Sequence, residues 1–231
     1  MTLYLVATPI GNLNDISQRA LETLGKVDLI LAEDTRRTGL LLNQFKLKKK
    51  MLSFHEHNEV SRVEEVVNLL KEGRSIALVS DAGTPTISDP GFKLIRSAIA
   101  HGIKVEPIPG PSAILAALSA SGLPTDRFLF LGYLPKGKGK AQRLLDNVKK
   151  VIETLPITLI FFESPHRLLK TISALKTIFP ASQLVVAKEL TKIHEEFLRG
   201  EVGEVLEKLE KSSVKGEYTL VLRQEVASSH T

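Results

Sequence analysis

The sequence predicts an α/β protein of two domains: a five-stranded parallel sheet with flanking helices, then a mixed sheet with helices. Three observations carry this. Short runs rich in Val, Ile and Leu alternate with helical periodicity through the first half of the chain. The segment Pro107-Ile-Pro-Gly-Pro-Ser112 then breaks the beat, since three prolines in five residues suit neither a sheet interior nor a helix middle. Beyond it the apolar runs recur in a less regular order. At 231 residues, 43% apolar and 25% charged, the chain has an ordinary globular composition and room for two modest domains.

In the first half, strands are predicted over 3–7, 29–33, 51–54, 76–80 and 105–108, each followed by polar or Gly/Pro punctuation and a helical stretch. Between the third and fourth, 60–71 puts Val63, Val66, Val67 and Leu70 at i, i+3, i+4 and i+7, one apolar helix face. The domain boundary is expected between 1–111 and 112–231. Ser112 can cap a helix over 113–120, which Gly122 and Pro124 end. In the second half strands are expected over 128–131, 158–162, 184–187, 196–199 and 218–223, the last two flanking a helix over 202–211. No internal repeat is visible.

The apolar run 157–162 falls far short of the roughly 20 residues a membrane crossing requires. Residues 1–10 read as a strand with no basic leader, so the expected compartment is the cytoplasm. Cysteine is absent, which excludes disulfides, thiolate metal sites, iron–sulfur clusters and a thiolate nucleophile. The formal charge is +5, and residues 134–150 alone hold six cations against Asp146. Lys136-Gly-Lys-Gly-Lys140 lacks the glycine spacing of a phosphate loop and reads as a mobile basic loop, suited either to a polyanion or simply to solvent.

Ligands of an open parallel sheet bind beyond the carboxyl ends of its strands. Three unusual loops fall there: Thr8-Pro-Ile-Gly-Asn12, Ser80-Asp-Ala-Gly-Thr-Pro-Thr-Ile-Ser-Asp-Pro-Gly91, and the triple-proline segment. Glycine allows close approach and proline stiffens, so together they can make a rigid cradle. Neither G-x-G-x-x-G nor G-x-x-x-x-G-K-[ST] is present. After the second strand, Ala32-Glu-Asp-Thr-Arg-Arg-Thr38 can orient a hydroxyl substrate and its phosphates, or pair internally and cap the next helix. His55-Glu-His57 lacks the i, i+4 spacing of a helical zinc site, and no metal is expected.

These residues, taken in order, resemble a known family. Leu5-Val-Ala-Thr-Pro-Ile-Gly-Asn-Leu13, Ala32-Glu-Asp-Thr-Arg36, Ser80-Asp-Ala-Gly-Thr-Pro85 with Ser88-Asp-Pro-Gly91, Pro109-Gly-Pro111, Phe161-Phe-Glu-Ser164 with His166-Arg-Leu168, Glu189-Leu-Thr-Lys192 and Gly216-Glu-Tyr-Thr-Leu-Val-Leu222 are similar to the ribosomal RNA small-subunit methyltransferase I family, of the tetrapyrrole-methylase-like class. The resemblance covers nearly the whole chain. It implies S-adenosylmethionine bound between the two domains and 2′-O-methylation of a cytidine in the decoding region of 16S rRNA. It also implies a small ribosomal subunit as partner, homodimerisation, and no role for membrane or DNA. Longer members carry a helical extension after the last strand, whereas this sequence ends a few residues beyond Arg223.

Carried over by motif position, the cofactor contacts are expected at Ile10, Asp81, Gly83, Thr84, Ile87, Ser112, Ala113, Phe162, Ala187 and Thr219. A ribose hydroxyl is a weak acid, so a base or cation should assist its attack on the methyl group. Asp34, Lys188 and Glu189 are the catalytic candidates, Lys188 because an apolar strand precedes it and Glu189 with the alternative of pairing a nearby arginine. Arg36, Arg37, Lys136, Lys138, Lys140, Arg143, His166 and Arg167 are expected to hold RNA phosphates. Two other functions compete: a tetrapyrrole-precursor methylase on the same fold, which has no use for a basic segment, and a non-catalytic RNA-binding module, which would not bind S-adenosylmethionine.

Overall fold

The computed structural model describes residues 1–224, with the side chain of Lys138 excepted. The chain divides into two compact units, Met1–Ser112 and Ala113–Thr231. The division falls one residue after the boundary expected from the proline segment.

The first unit holds β1 (Thr2–Val6), β2 (Leu29–Ala32), β3 (Met51–Ser53), β4 (Ser75–Val79) and β5 (Lys104–Ile108). They lie in the order β3-β2-β4-β1-β5, and every pairing is parallel. Helices α1 (Gln18–Lys26), α2 (Thr35–Gln44), α3 (Glu59–Lys71) and α4 (Phe92–Ala100) connect them. Alternate residues of a strand face opposite sides, and here both sides are apolar. Leu3, Leu31, Ile76 and Leu78 pack with Val66, Val67, Leu70 and Leu94 on one side, while Val6, Ile30, Ala77 and Val79 pack with Ala20, Leu24 and Leu42 on the other. Each such Val, Leu or Ile side chain contributes roughly 1.5–3 kcal/mol on burial. Pro107 does enter the sheet, opposite Leu5, and is tolerated because β5 is an edge strand.

The second unit contains α5 (Ala113–Ser121), β6 (Phe128–Tyr133), α6 (Lys138–Thr154), β7 (Thr158–Glu163), α7 (Leu168–Ile178), β8 (Ser182–Lys188), β9 (Glu196–Glu201), α8 (Val202–Glu210) and β10 (Tyr218–Gln224). The sheet order is β6-β7-β10-β8-β9; β6 and β7 are parallel and the other pairs antiparallel, a mixed sheet as expected. Leu159, Phe161, Leu184, Val186, Leu220 and Leu222 form one large core with α6, α7 and α8. The basic segment read as a mobile loop instead runs into α6, with Gly137 as its N-cap and Lys138 to Lys140 in its first turn. Ala141, Leu144, Leu145, Val148 and Ile152 give it an apolar face that packs into this core, a periodicity hidden by the lysines around it.

Candidate active site

Three loops at the carboxyl ends of the parallel strands are laced together. Thr8 and Gly83 exchange backbone hydrogen bonds (2.9 and 3.0 Å), and Thr8 Oγ1 donates to the Ser80 carbonyl inside the protein (3.2 Å). Gly110 lies so close to Ala7 that a Cβ would sit 3.0 Å from the alanine methyl. Thr84 Oγ1 donates to the Pro111 carbonyl (3.4 Å), and a Cβ on Gly83 would meet Ile10 at 3.4 Å. The structure therefore brings Ile10, Gly83, Thr84 and the 111–112 segment into one polar cradle, with Ile87 exposed on the same loop. Thr86 (φ 74°) and Ser88 (φ 69°) take left-handed conformations in that loop. Strain of this kind costs about 1–3 kcal/mol and persists only where the surroundings impose it. Part of the imposition comes from Glu59, nearly buried on α3, whose Oε1 accepts from the Gly91 and Lys93 amides at the start of α4 (3.0 and 3.1 Å).

Carboxylates crowd this edge. The Asp81 amide donates to Glu33 (3.4 Å), and Asp81 Oδ1 accepts from the Asp34 amide (3.0 Å) while Oδ2 faces Arg37 (3.2 Å). Burial, then the Glu33 charge, push the Asp89 carboxyl up to about 6, with Asp81 adding to the rise and the Ser80 hydroxyl opposing it. Burial also raises Glu33, against the Asp81 amide that favours its charged form. Asp34 differs. It is the N-cap of α2, and its carboxylate accepts from the Arg36 amide (2.8 Å), Nε (3.1 Å) and Nη2 (2.7 Å). These bonds hold its carboxyl well below the usual range. Of the two readings of this segment, the geometry favours capping and internal pairing, which makes Asp34 a poor proton acceptor.

In the second unit Phe162, Thr219 and Ala187 are register partners on the adjacent strands β7, β10 and β8. Partners in register share a sheet face, so these three expected contacts form one row. The Phe162 ring packs edge-on against Phe130 (4.9 Å between centroids) and beside Tyr133 (5.7 Å). Ala113 is the first residue of α5.

Past the end of β8, Glu189 (φ 50°) and Thr191 (φ 65°) are left-handed. Glu189 Oε1 accepts from the Glu217 amide (2.8 Å) and Lys192 Nζ (2.9 Å), and its own amide donates to the Glu217 carbonyl (2.9 Å). Burial opposes its ionisation, yet the Lys192 and Glu217 bonds and the Lys192 and Lys188 charges hold its carboxyl below the ordinary value. Gly216 (φ +102°) is required here, since a Cβ would lie 2.7 Å from the Glu189 side chain. Glu189 is thus a latch between β8 and β10, and its cation is a lysine rather than the arginine considered. Lys188 faces a carboxylate, Glu196 at 3.6 Å, where apolar surroundings were expected.

The phosphate-binding candidates separate. Lys136, Lys140 and Arg143 are exposed at the start of α6, and no ion pair engages them among the described residues; the Lys138 side chain lies outside the described set. Asp146 is taken by Gln142 (3.0 Å). His166, Arg36 and Arg37 are also exposed. Arg167 is not: its Nη2 donates to the Leu134 carbonyl (2.7 Å) and its Nε faces the buried Glu163 (3.4 Å). Glu163 also accepts from Thr171 Oγ1 (2.6 Å) and the Ser164 amide (2.8 Å). Arg167 therefore braces the approach to α6 and has little left for a phosphate. Glu33, Asp89 and Glu163 all stood inside quoted motifs, but only their burial in the fold singles them out.

Each set fits a sulfonium methyl donor by its chemistry. The first unit offers carboxylates to a cationic ligand and backbone groups to its hydroxyls, and the row on the second offers an aromatic and a small apolar surface. No three acids or histidines converge as metal ligands among the described residues, and no described helix is long and apolar enough to cross a membrane.

Comparison with known proteins agrees with this organisation. The family described as tetrapyrrole (corrin/porphyrin) methylases matches residues 2–206. "Ribosomal RNA small subunit methyltransferase I" of Thermotoga maritima is 50% identical over 95% of this chain and 97% of its own. The protein of the same name from Escherichia coli O157:H7 is 50% identical over 95% of this chain and 77% of its own. Among solved structures, diphthine synthase superposes with a TM-score of 0.74 at 16% identity, covering 98% of this chain and 91% of that one. Uroporphyrin-III C-methyl transferase from Thermus thermophilus, complexed with S-adenyl homocysteine, gives 0.66 at 17%, covering 97% and 98%. With its two sheets, its motif loops in place and relatives at half identity over almost its full length, the chain belongs to the ribosomal RNA small-subunit methyltransferase I family of the tetrapyrrole methylases.

Proposed function

We propose that this protein uses S-adenosylmethionine to methylate ribosomal RNA, and that the acceptor is the 2′-oxygen of a cytidine ribose in the decoding region of the small subunit. The observation that carries the reading is the union of relatives at half identity, bearing one rRNA methyltransferase name, with rigid motif loops at the parallel strand ends. In this reading it works in the cytoplasm as a homodimer.

Ile10, Asp81, Gly83, Thr84, Ile87 and Ser112 of the first unit, with Ala113, Phe162, Ala187 and Thr219 of the second, hold the methyl donor. The donor supplies an electrophilic methyl carbon on a positively charged sulfur. Transfer is an in-line displacement, so the chief task of these residues is to fix the ribose oxygen opposite the departing sulfur, a positioning effect worth several kcal/mol. The hydroxyl proton needs an acceptor whose pKa is near the working pH. Asp34 and Glu189 are too weakly basic for this, while Asp89, with a carboxyl near 6 beside Glu33 and Asp81, meets the requirement. Lys188 remains the candidate for electrostatic assistance.

Lys136, Lys138 and Lys140 sit at the positive end of α6, an unfavourable place for cations in a free helix. A phosphate backbone relieves that repulsion, and in this reading Arg143 and His166 of the second unit and Arg36 and Arg37 of the first add phosphate contacts of their own. The test is transfer of labelled methyl from S-adenosylmethionine to small subunits lacking the modification, followed by nucleoside analysis. Label in 2′-O-methylcytidine is the expected result; unlabelled RNA with the methyl donor still bound would overturn the acceptor assignment.

A further inference from the structure

The second unit has a cavity of about 720 Å³ that the methyl-transfer site does not use. It is walled by the 121–124 turn that ends α5, by Gln183 on β8, by Arg199 on β9 and by Arg223 and Gln224 on β10. Arg223 pairs in register with Gln183, four residues along β10 from the Thr219–Ala187 pair, so the cavity occupies the other end of the same strands. No acidic side chain lines it among the described residues.

Its two arginines are differently employed. Arg199 caps α5: Nη2 donates to the Ala120 carbonyl (2.7 Å), Nε to that of Ser121 (3.3 Å), and the guanidinium lies over the Phe197 ring at 4.7 Å. The Arg223 side chain has no hydrogen bond or ion pair among the described residues, and its Nη1 is buried without an acceptor. The neighbouring Gln224 Oε1 is buried without a donor. Unmade bonds at buried polar atoms are costly, so a guanidinium and an amide oxygen left this way beside an open cavity call for a ligand. That ligand brings a negative acceptor to Arg223 and a hydroxyl or amino donor to Gln224. Arg223 has the forked donors that match phosphate oxygens. The cavity is of nucleotide size, so there is room for more than a bare phosphate. Among the described residues, Gly122 (φ +80°) has nothing within 4 Å of where its Cβ would be, which leaves room at that wall.

We propose that this cavity binds a phosphate ester carrying a nearby hydroxyl or amino group, supplied either by an unpaired stretch of RNA or by a free nucleotide. The proposal does not rest on the methyl-transfer reading, and its test uses no methyl donor, so either can fail alone.

The full chain, isotope-labelled, is titrated with inorganic phosphate, with cytidine 5′-monophosphate and with a short single-stranded RNA while amide resonances are followed. Shifts at Gly122, Gln183 and Gln224 are expected. Arg223→Gln should weaken binding about tenfold, the loss of one charge-assisted contact, and Gln224→Glu should weaken it by placing a carboxylate beside the anion. Tighter binding of RNA than of the mononucleotide supports the proposal with a polymer as ligand, and equal binding supports it with a nucleotide. No shift at these amides with any of the three probes, or unchanged binding in both variants, overturns it.

Discussion

Two carboxylate clusters stand at strand ends of this protein, one in each unit, and they are perturbed in opposite directions. In the first unit Glu33 and Asp89 are raised, because burial and like charge are only partly offset by Arg37 and a few donors. In the second, Glu189 is lowered, because Lys192 and a backbone amide saturate it. Both sit in loops with left-handed residues, so strain alone does not tell them apart. What distinguishes them is satisfaction: a paired cluster locks two strands together, whereas an incompletely paired one keeps basicity near neutral pH and can exchange a proton.

The sharpest way to break this contrast is to disturb the latch. Gly216→Ala forces a Cβ against Glu189 at a positive φ, and a loss of about 3 kcal/mol in urea unfolding is expected. Glu189→Gln should cost somewhat less, about 2 kcal/mol, by weakening the bonds to Lys192 and Glu217. Since the folded carboxyl of Glu189 lies below its unfolded value, that contribution is present above the unfolded pKa and fades as pH falls through the folded one. Wild type and variant should therefore converge in acid.

Asp89→Asn probes the other cluster and should move stability the opposite way. A raised folded carboxyl favours folding below its unfolded pKa, and the benefit is lost as pH rises towards about 6. Discounted for partial exposure, the variant should be about 1 kcal/mol more stable than wild type at pH 8 and no more stable at pH 4. Its methyl transfer should fall by about 10²-fold, with the limb near pH 6 gone from the rate profile. If instead the Glu189 variant lost turnover while the Asp89 variant kept it, the roles assigned to the two clusters would be reversed. The smallest effect belongs to the basic helix: Lys136→Ala should lower the slope of log RNA affinity against log salt by about 1, leaving stability unchanged.

How much of this was readable from the chain depends on which unit is considered. A parallel sheet sends every outgoing loop to one edge, so residues 8–12, 80–91 and 109–112 could be recognised as one site without knowing the strand order. The second unit offers no such rule. Its antiparallel centre alternates loop directions, and Phe162, Thr219 and Ala187 meet only through register, which the resemblance supplied and spacing could not. Charge misled in both. Lysines masked the apolar face of α6, and Asp34 and Arg167, eligible by type for catalysis and phosphate binding, turned out to be occupied by Arg36 and by Glu163 with the Leu134 carbonyl. Partner choice is a property of the folded neighbourhood and is not written in residue identity.

The strand orders also set different timetables for synthesis. All five strands of the first sheet are contained in the first 108 residues, so that sheet can form while the rest of the chain is still being translated. In the second sheet β10 is made last, yet it lies between β7 and β8 and touches both along its length. Until it emerges, β6–β7 and β8–β9 are two separate pairs with apolar edges facing an empty slot. During that interval the nascent second unit is the part of the molecule most dependent on chaperone protection, and slowing translation ahead of β10 should raise misfolding of this unit while sparing the first.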